Sequence, residues 1–178
     1  MVLAKRLVTI FLVTVGLLWL YRYVTSRVDI PALRTDSRGV GMEPVVQGSQ
    51  LLWRLKRGER DREHLHRSDI VAYKAVDHPN EFFVGRIIGL EGERVALVRN
   101  PETKAYAVFI DGKPLDESAY NPKSFADDYP ETHVPRGHLF ILADIRQNEE
   151  SRQIFAFRDS RTLGFIPYEK VLGKLPVK

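Results

Sequence analysis

The sequence predicts an all-β fold, an antiparallel β-sheet body with a smaller β lobe, preceded by one N-terminal transmembrane helix. Three observations carry that prediction. A run without a charged side chain, Leu7–Leu20, lies near the start of the chain. Short apolar or alternating runs separated by turn signals make up most of the remainder. No helical periodicity longer than two turns appears after residue 24.

Leu7–Leu20 reads LVTIFLVTVGLLWL and spans only about 21 Å as a helix. Adding Val2–Arg6 and Tyr21–Val24 brings the segment to membrane length, about 30 Å. Lys5 and Arg6 can snorkel out at one end. Trp19, Tyr21 and Tyr23 stand where an interfacial aromatic belt would stand. The rival is a cleaved secretory signal, but the Tyr-Arg-Tyr-Val-Thr-Ser-Arg that follows offers no small-x-small cleavage site. Residues 1–24 are therefore read as an uncleaved anchor and 25–178 as the β domain. Orientation is not decided by charge. Lys5 and Arg6 precede the span while Arg22, Arg27, Arg34 and Arg38 follow it.

Expected strands are Gln50–Leu55, Asp69–Lys74, Phe82–Ile88, Arg94–Val98, Tyr106–Ile110, His138–Ala143, Gly164–Ile166 and Val171–Leu175. Turns are signalled at Glu91-Gly92-Glu93, Asp111-Gly112-Lys113 and Pro135-Arg136-Gly137. Many short strands of this kind suggest a barrel or a pair of small sheets. Residues 100–134 are richer in Pro, Asp and Tyr and are expected to form the smaller lobe or a long excursion. The charged run 56–67, KRGERDREHLHR, is read as a solvated loop in preference to a lipid head-group patch.

Composition excludes several function classes. The chain has 178 residues and a formal net charge of +4. Residues 1–24 hold three basic side chains and no acid, which leaves the rest with 24 basic against 23 acidic groups. The body therefore has no basic field for phosphates, and no nucleic-acid partner is expected. With no Cys there is no disulfide, no thiol nucleophile and no thiolate metal site. His64 and His66 have no evident third ligand, so no metal and no cofactor are expected.

Four blocks, in order, resemble the type I signal peptidase (leader peptidase) family, whose members are membrane-anchored endopeptidases with a Ser/Lys dyad. Gly41-Met42-Glu43-Pro44-Val45-Val46-Gln47-Gly48-Ser49 is similar to the family's Ser-Met-x-Pro segment. Arg67-Ser68-Asp69-Ile70-Val71 resembles its Arg-Gly-Asp-Ile-Val strand, and Val84-Gly85-Arg86-Ile87-Ile88-Gly89 its Lys-Arg-Val-Ile-Gly block. Leu142-Ala143-Asp144-Ile145-Arg146 and Asp159-Ser160-Arg161 resemble the Gly-Asp-Asn-Arg … Asp-Ser-Arg block. Phe109–Leu115 also looks like a family hairpin. Each block alone is a weak signal. Their order behind an apolar segment makes the resemblance specific.

The departures bear on chemistry. The resemblance puts the nucleophilic Ser at the position of Gly41 and the general-base Lys at that of Gly85. A hydroxyl needs a base to become nucleophilic, and a Lys can serve only where an apolar site lowers its pKa. Glycine supplies neither group. Gly39 stands where relatives often carry an oxyanion-hole hydroxyl, a contribution of about 3–4 kcal/mol. Ser37, Ser49 and Lys74 are the nearest substitutes, but a shift that brought Ser37 to residue 41 would displace the Met-x-Pro turn. Arg86 stays protonated and makes a poor base.

The resemblance further implies a groove for an extended peptide between Arg38–Met42 and Phe82–Gly85, with Met42, Pro44, Phe82, Phe83 and Val84 lining or supporting it. Groove and core roles stay open for Phe82 and Val84, because only alternate residues of one strand share a face. Asp144, Arg146, Asp159, Ser160 and Arg161 match family residues near the active site and are read as structural support. An extra stretch, about Gln153–Arg158, separates the two halves of the fourth block. The expected function is that of a signal peptidase-like pseudoenzyme, a single-pass cell-membrane protein with its C-terminal domain extracytoplasmic. It would bind signal-peptide or preprotein segments without cutting them and would assist other secretion or surface-assembly proteins. The alternative is an active serine peptidase (a hydrolase) with a non-standard or partner-supplied dyad. A membrane-tethered β domain without peptide affinity is the third reading.

Overall fold

The structure is a computed structural model. It describes residues 2–29, 42, 52–54, 60–74, 82–99, 102, 106–120, 123–124, 128–146 and 159–175. One long helix, α1 (Val2–Arg27), runs directly into β1 (Val28–Asp29). The strands β2 (Leu52–Arg54), β3 (Ile70–Lys74), β4 (Phe82–Gly89), β5 (Arg94–Arg99), β6 (Tyr106–Ile110), β7 (Lys113–Pro114), β8 (Lys123–Ser124), β9 (Tyr129–His133), β10 (His138–Leu142) and β11 (Ile145–Arg146) follow. A one-turn helix, α2 (Ser160–Leu163), then leads to β12 (Ile166–Pro167), a 3-10 turn at Tyr168–Lys170 and β13 (Val171–Lys174).

The body is β-sheet, as the alternation of apolar and polar residues requires. A seven-stranded sheet has the order β1-β2-β13-β3-β4-β10-β12. A four-stranded sheet, β7-β6-β5-β9, is built from residues 94–133, and β8 and β11 form a short parallel pair. All eight sequence-predicted strands have a counterpart. Strand β9 was not foreseen, because Tyr-Pro-Glu-Thr-His lacks the apolar alternation of a buried strand. It is bonded only to β5, at the edge of its sheet, where Pro130 is tolerated. The turn between β6 and β7 places both Asp111 (φ 51°) and Gly112 (φ 75°) in the left-handed region, which a two-residue hairpin requires.

Three apolar clusters hold the sheets together. One lies on one face of the large sheet and includes Leu65, Val71, Tyr73, Phe83, Ile87 and Ile141. A second, on the opposite face, joins Met42, Ile70, Ala72, Val84 and Leu175. The third, which includes Ile88, Val95, Leu97, Val108, Phe140 and Leu142, fastens the four-stranded sheet to the large one.

Helix α1 behaves differently. Ile10, Phe11, Leu12, Val13, Leu17, Leu18 and Trp19 are all exposed, so the body does not cover them. Among the described residues no helix is long and apolar enough to cross a membrane. The uncharged run Leu7–Leu20 is itself shorter than a full span, and the expected membrane helix is not established by the fold.

Candidate functional site

Strand β4 is the spine of the candidate site. It pairs antiparallel with β3, where Val71 faces Gly85 and Ala72 faces Val84. On its other side it pairs with β10, where Ile141 faces Ile87 and Leu142 faces Arg86. Strand alternation sorts its side chains. Phe83 and Ile87 enter the cluster with Tyr73 and Ile141, while Val84 enters the cluster with Met42. Phe83 and Val84 therefore lie on opposite faces, and both are nearly fully buried. Met42, the one described residue of the first motif, is buried in that second cluster, which also holds Val84, the residue before Gly85.

Gly85 sits on the Tyr73–Ile141 face and is buried. A Cβ added to it would lie 2.6 Å from Ile141 Cγ2, 3.2 Å from the Leu142 carbonyl oxygen and 3.4 Å from Tyr73 Cε1. The first distance is well inside van der Waals contact. The absent side chain thus leaves no open space along its Cβ direction. Ile141 occupies it.

Ile141 is fixed from behind. Asp159 caps α2 with its carboxylate, which accepts from the Arg161 backbone N–H at 3.0 Å and from the Arg161 guanidinium at 2.7 Å. The same carboxylate accepts from the Ala143 N–H at 3.2 Å. Ser160 Oγ accepts from the Ile141 N–H at 2.8 Å. The Asp-Ser-Arg block therefore straps β10 at Ile141 and Ala143, on either side of Leu142. Tyr73 is fully buried beneath this strap. Burial pushes its phenol well above the ordinary value, the charge of Asp159 adds to the shift, and Arg161 partly opposes it.

Arg86, next to Gly85, points the other way. Its Nε and Nη2 donate to the two carboxylate oxygens of Asp144 at 2.8 and 2.6 Å, and Nη1 donates to the Ser68 carbonyl at 3.0 Å. Arg86 and Asp144 are 4% and 3% exposed, so this is a buried bidentate pair. The Tyr120 ring lies 3.9 Å from the guanidinium carbon and covers it. Tyr120 comes from the segment that leads to β8, which pairs with β11 just after Asp144.

The structure thus brings Gly85, Ile141, Tyr73, Asp159, Ser160 and Arg161 together on one face of β4, and Arg86 and Asp144 on the other. Met42 and Val84 belong to one buried apolar cluster. Gly39, Gly41 and Pro44 fall outside the described residues, as do Ser37, Ser49 and the stretch 153–158. Phe82 and Arg146 are placed as backbone in β4 and β11, and their side chains are not described. Lys74 closes β3 and is half-buried. Sequence reasoning missed Ile141 and Tyr120. Nothing local marks either, since both act through pairings across the fold. His64 and His66 are exposed, with His64 Nδ1 2.9 Å from Asp61 Oδ1. Among the described residues no group of three His, Asp or Glu could hold a metal.

Comparison with known proteins agrees with the motif order. "Probable signal peptidase I-2" of Synechocystis is 29% identical over 99% of this chain and 71% of its own length. "Signal peptidase I" of Bacillus caldolyticus is 27% identical over 77% of this chain and 73% of its own. The human "Mitochondrial inner membrane protease subunit 1" is 26% identical over 77% and 63%. A crystal structure of a signal peptidase I from Enterococcus faecalis matches with a TM-score of 0.47 at 26% identity, over 63% of this chain and 97% of that one. The family model described as "Signal peptidase, peptidase S26" matches residues 4–178, nearly the whole chain. With that match, and with the third and fourth blocks meeting around β4, the chain belongs to the signal peptidase, peptidase S26, family.

Proposed function

We propose that the chain is a membrane-anchored, catalytically silent member of its family that binds extended signal-peptide or preprotein segments and assists their processing or assembly. The observation that carries this reading is at Gly85. The position that the family resemblance assigns to the base has no side chain, and Ile141 fills the direction in which one would point. Gly41 adds the lack of a hydroxyl at the nucleophile position. A bound segment would lie between the residues leading to Gly41 and strand β4, held by main-chain hydrogen bonds. The shared apolar cluster of Met42 and Val84 supports that placement.

Anchoring is proposed through residues 1–24, with the body on the extracytoplasmic side as the resemblance implies. The exposed apolar side chains of α1 from Ile10 to Leu20 support it, as does the stacked pair Trp19–Tyr23 at the end of the apolar run. The relatives' names favour the competing reading, an active peptidase with a dyad drawn from elsewhere.

One experiment separates the two. The purified chain in lipid nanodiscs is incubated with a fluorescent signal-peptide fragment and with a full preprotein. The expected result is saturable binding of the fragment with the preprotein left intact. Robust turnover would falsify the pseudoenzyme reading, and absence of binding would leave only a tethered β domain. Alkaline carbonate extraction of membranes tests the anchor, which predicts retention in the pellet and loss of retention in Val13→Arg.

A further inference from the structure

We propose that Ile141 is a third silencing position, and that residue 141 decides whether position 85 can carry a buried amine. The proposal rests on the reading of Gly85 as an emptied base position and names what now occupies that site.

The geometry is specific. Gly85 is one of two described β4 glycines at which an added Cβ would meet a neighbour at closer than 3.0 Å. At Gly85 that neighbour is Ile141 Cγ2, and at Gly89 it is Val95 Cγ2; both belong to β-branched side chains, which cannot swing clear as the end of a long side chain can. Ile141 is fully buried, its N–H is held by Ser160 Oγ at 2.8 Å, and it packs in the cluster with Tyr73, Phe83 and Ile87. It therefore has little room to yield. The surroundings also define what the slot would do to an amine. Ile141 and Tyr73 wall it with apolar surface. Asp159, the carboxylate whose charge acts on Tyr73, is already bonded to Arg161 and to the Ala143 N–H. A lysine at 85 that entered this slot would be desolvated, with its pKa lowered. With Ile141 in place it cannot enter.

A double-mutant cycle on the full-length chain in detergent micelles tests this, read as Tm by circular dichroism. Gly85→Ala is expected to lower Tm by about 4–10 °C in the natural chain, the cost of overpacking. Beside Ile141→Ala the same change is expected to cost less than about 2 °C. Ile141→Leu removes the β-branch at nearly constant volume and is the milder background should Ile141→Ala not fold.

A second readout follows the amine itself. Gly85→Lys/Ile141→Ala is compared with Gly85→Met/Ile141→Ala between pH 6 and 10. A buried lysine has a folded-state pKa below its unfolded value of about 10.4, so the unfolded chain binds more protons in between. Stability should therefore rise with pH across that window for the Lys variant and stay parallel to the wild type for Met. Equal Tm losses for Gly85→Ala in both backgrounds, or parallel pH curves for Lys and Met, would overturn the proposal. Neither readout depends on peptide binding, so failure of the proposed function would leave this result standing, and the reverse.

Discussion

Ile141 Cγ2 stands 2.6 Å from the point that a Cβ on Gly85 would occupy. The glycine at position 85 leaves no hole there. The neighbouring strand fills it, and Ser160 holds that strand in place. An unfilled space beside β4 would cost of the order of 24 cal/mol per Å³. A filled slot avoids that cost and leaves the Gly85 face of β4 well packed.

Re-arming should therefore take three substitutions. Gly41→Ser/Gly85→Lys is expected to cleave no preprotein, or to do so at background rate. Adding Ile141→Ala is expected to produce measurable cleavage. Gel analysis of a preprotein incubated with each variant checks this, and equal activity of the double and triple variants would refute it.

The Arg86–Asp144 pair is buried and bidentate, so removing one partner strands the other charge. Asp144→Ala should cost about 3–5 kcal/mol, which lowers Tm by about 6–20 °C. Replacing both partners by apolar residues, Arg86→Met/Asp144→Leu, should be less damaging than either single loss. Urea unfolding of the three variants would show the order.

Ser160→Ala should have a smaller effect with a defined location. It leaves the Ile141 N–H buried without its partner, at a cost of about 1–3 kcal/mol. Hydrogen exchange should show faster exchange at Ile141 and Ala143 than at β3 amides. Uniform change across the sheet would mean that the Asp159–Arg161 strap does not act locally.

Tyr73 should govern the alkaline limb of stability. Its folded-state pKa is raised by burial and then by Asp159. A phenol with a raised folded value contributes stability that is present below about pH 10, the unfolded value, and lost as pH climbs toward the folded one. Tyr73→Phe removes the titrating group, so Tm measured from pH 8 to 11.5 should fall less steeply above pH 10 in that variant. Identical slopes would exclude the phenol as the cause.

Much of the fold was legible in the sequence because strand signals are local. Asp69–Lys74 and Phe82–Ile88 show their β character in consecutive residues, and β3 and β4 follow them within one residue at each end. The turns at Gly92, Gly112 and Gly137 were legible because each glycine takes a positive φ. Strand β9 was not, since edge pairing tolerates a polar, proline-bearing sequence. The place of Gly85 in a strand, next to Arg86 and Ile87, could be read from its motif. The burial of Met42, Phe83 and Val84 could not, because period 2 separates faces without saying what covers each.

The sequence by itself determined the apolar N-terminal run, the alternation that makes the body β-sheet, and the glycines at the two positions where the family resemblance expects a hydroxyl and an amine. The tertiary structure decided what Gly85 faces. Arg86 and Asp144 lie 58 residues apart and meet because β4 and β10 pair, and that same pairing brings Ile141 over Gly85. A side chain's type is written in one residue, but its surroundings depend on which strands pair and in which register. A one-residue slip of β10 would turn Ile141 to the other face and open the slot.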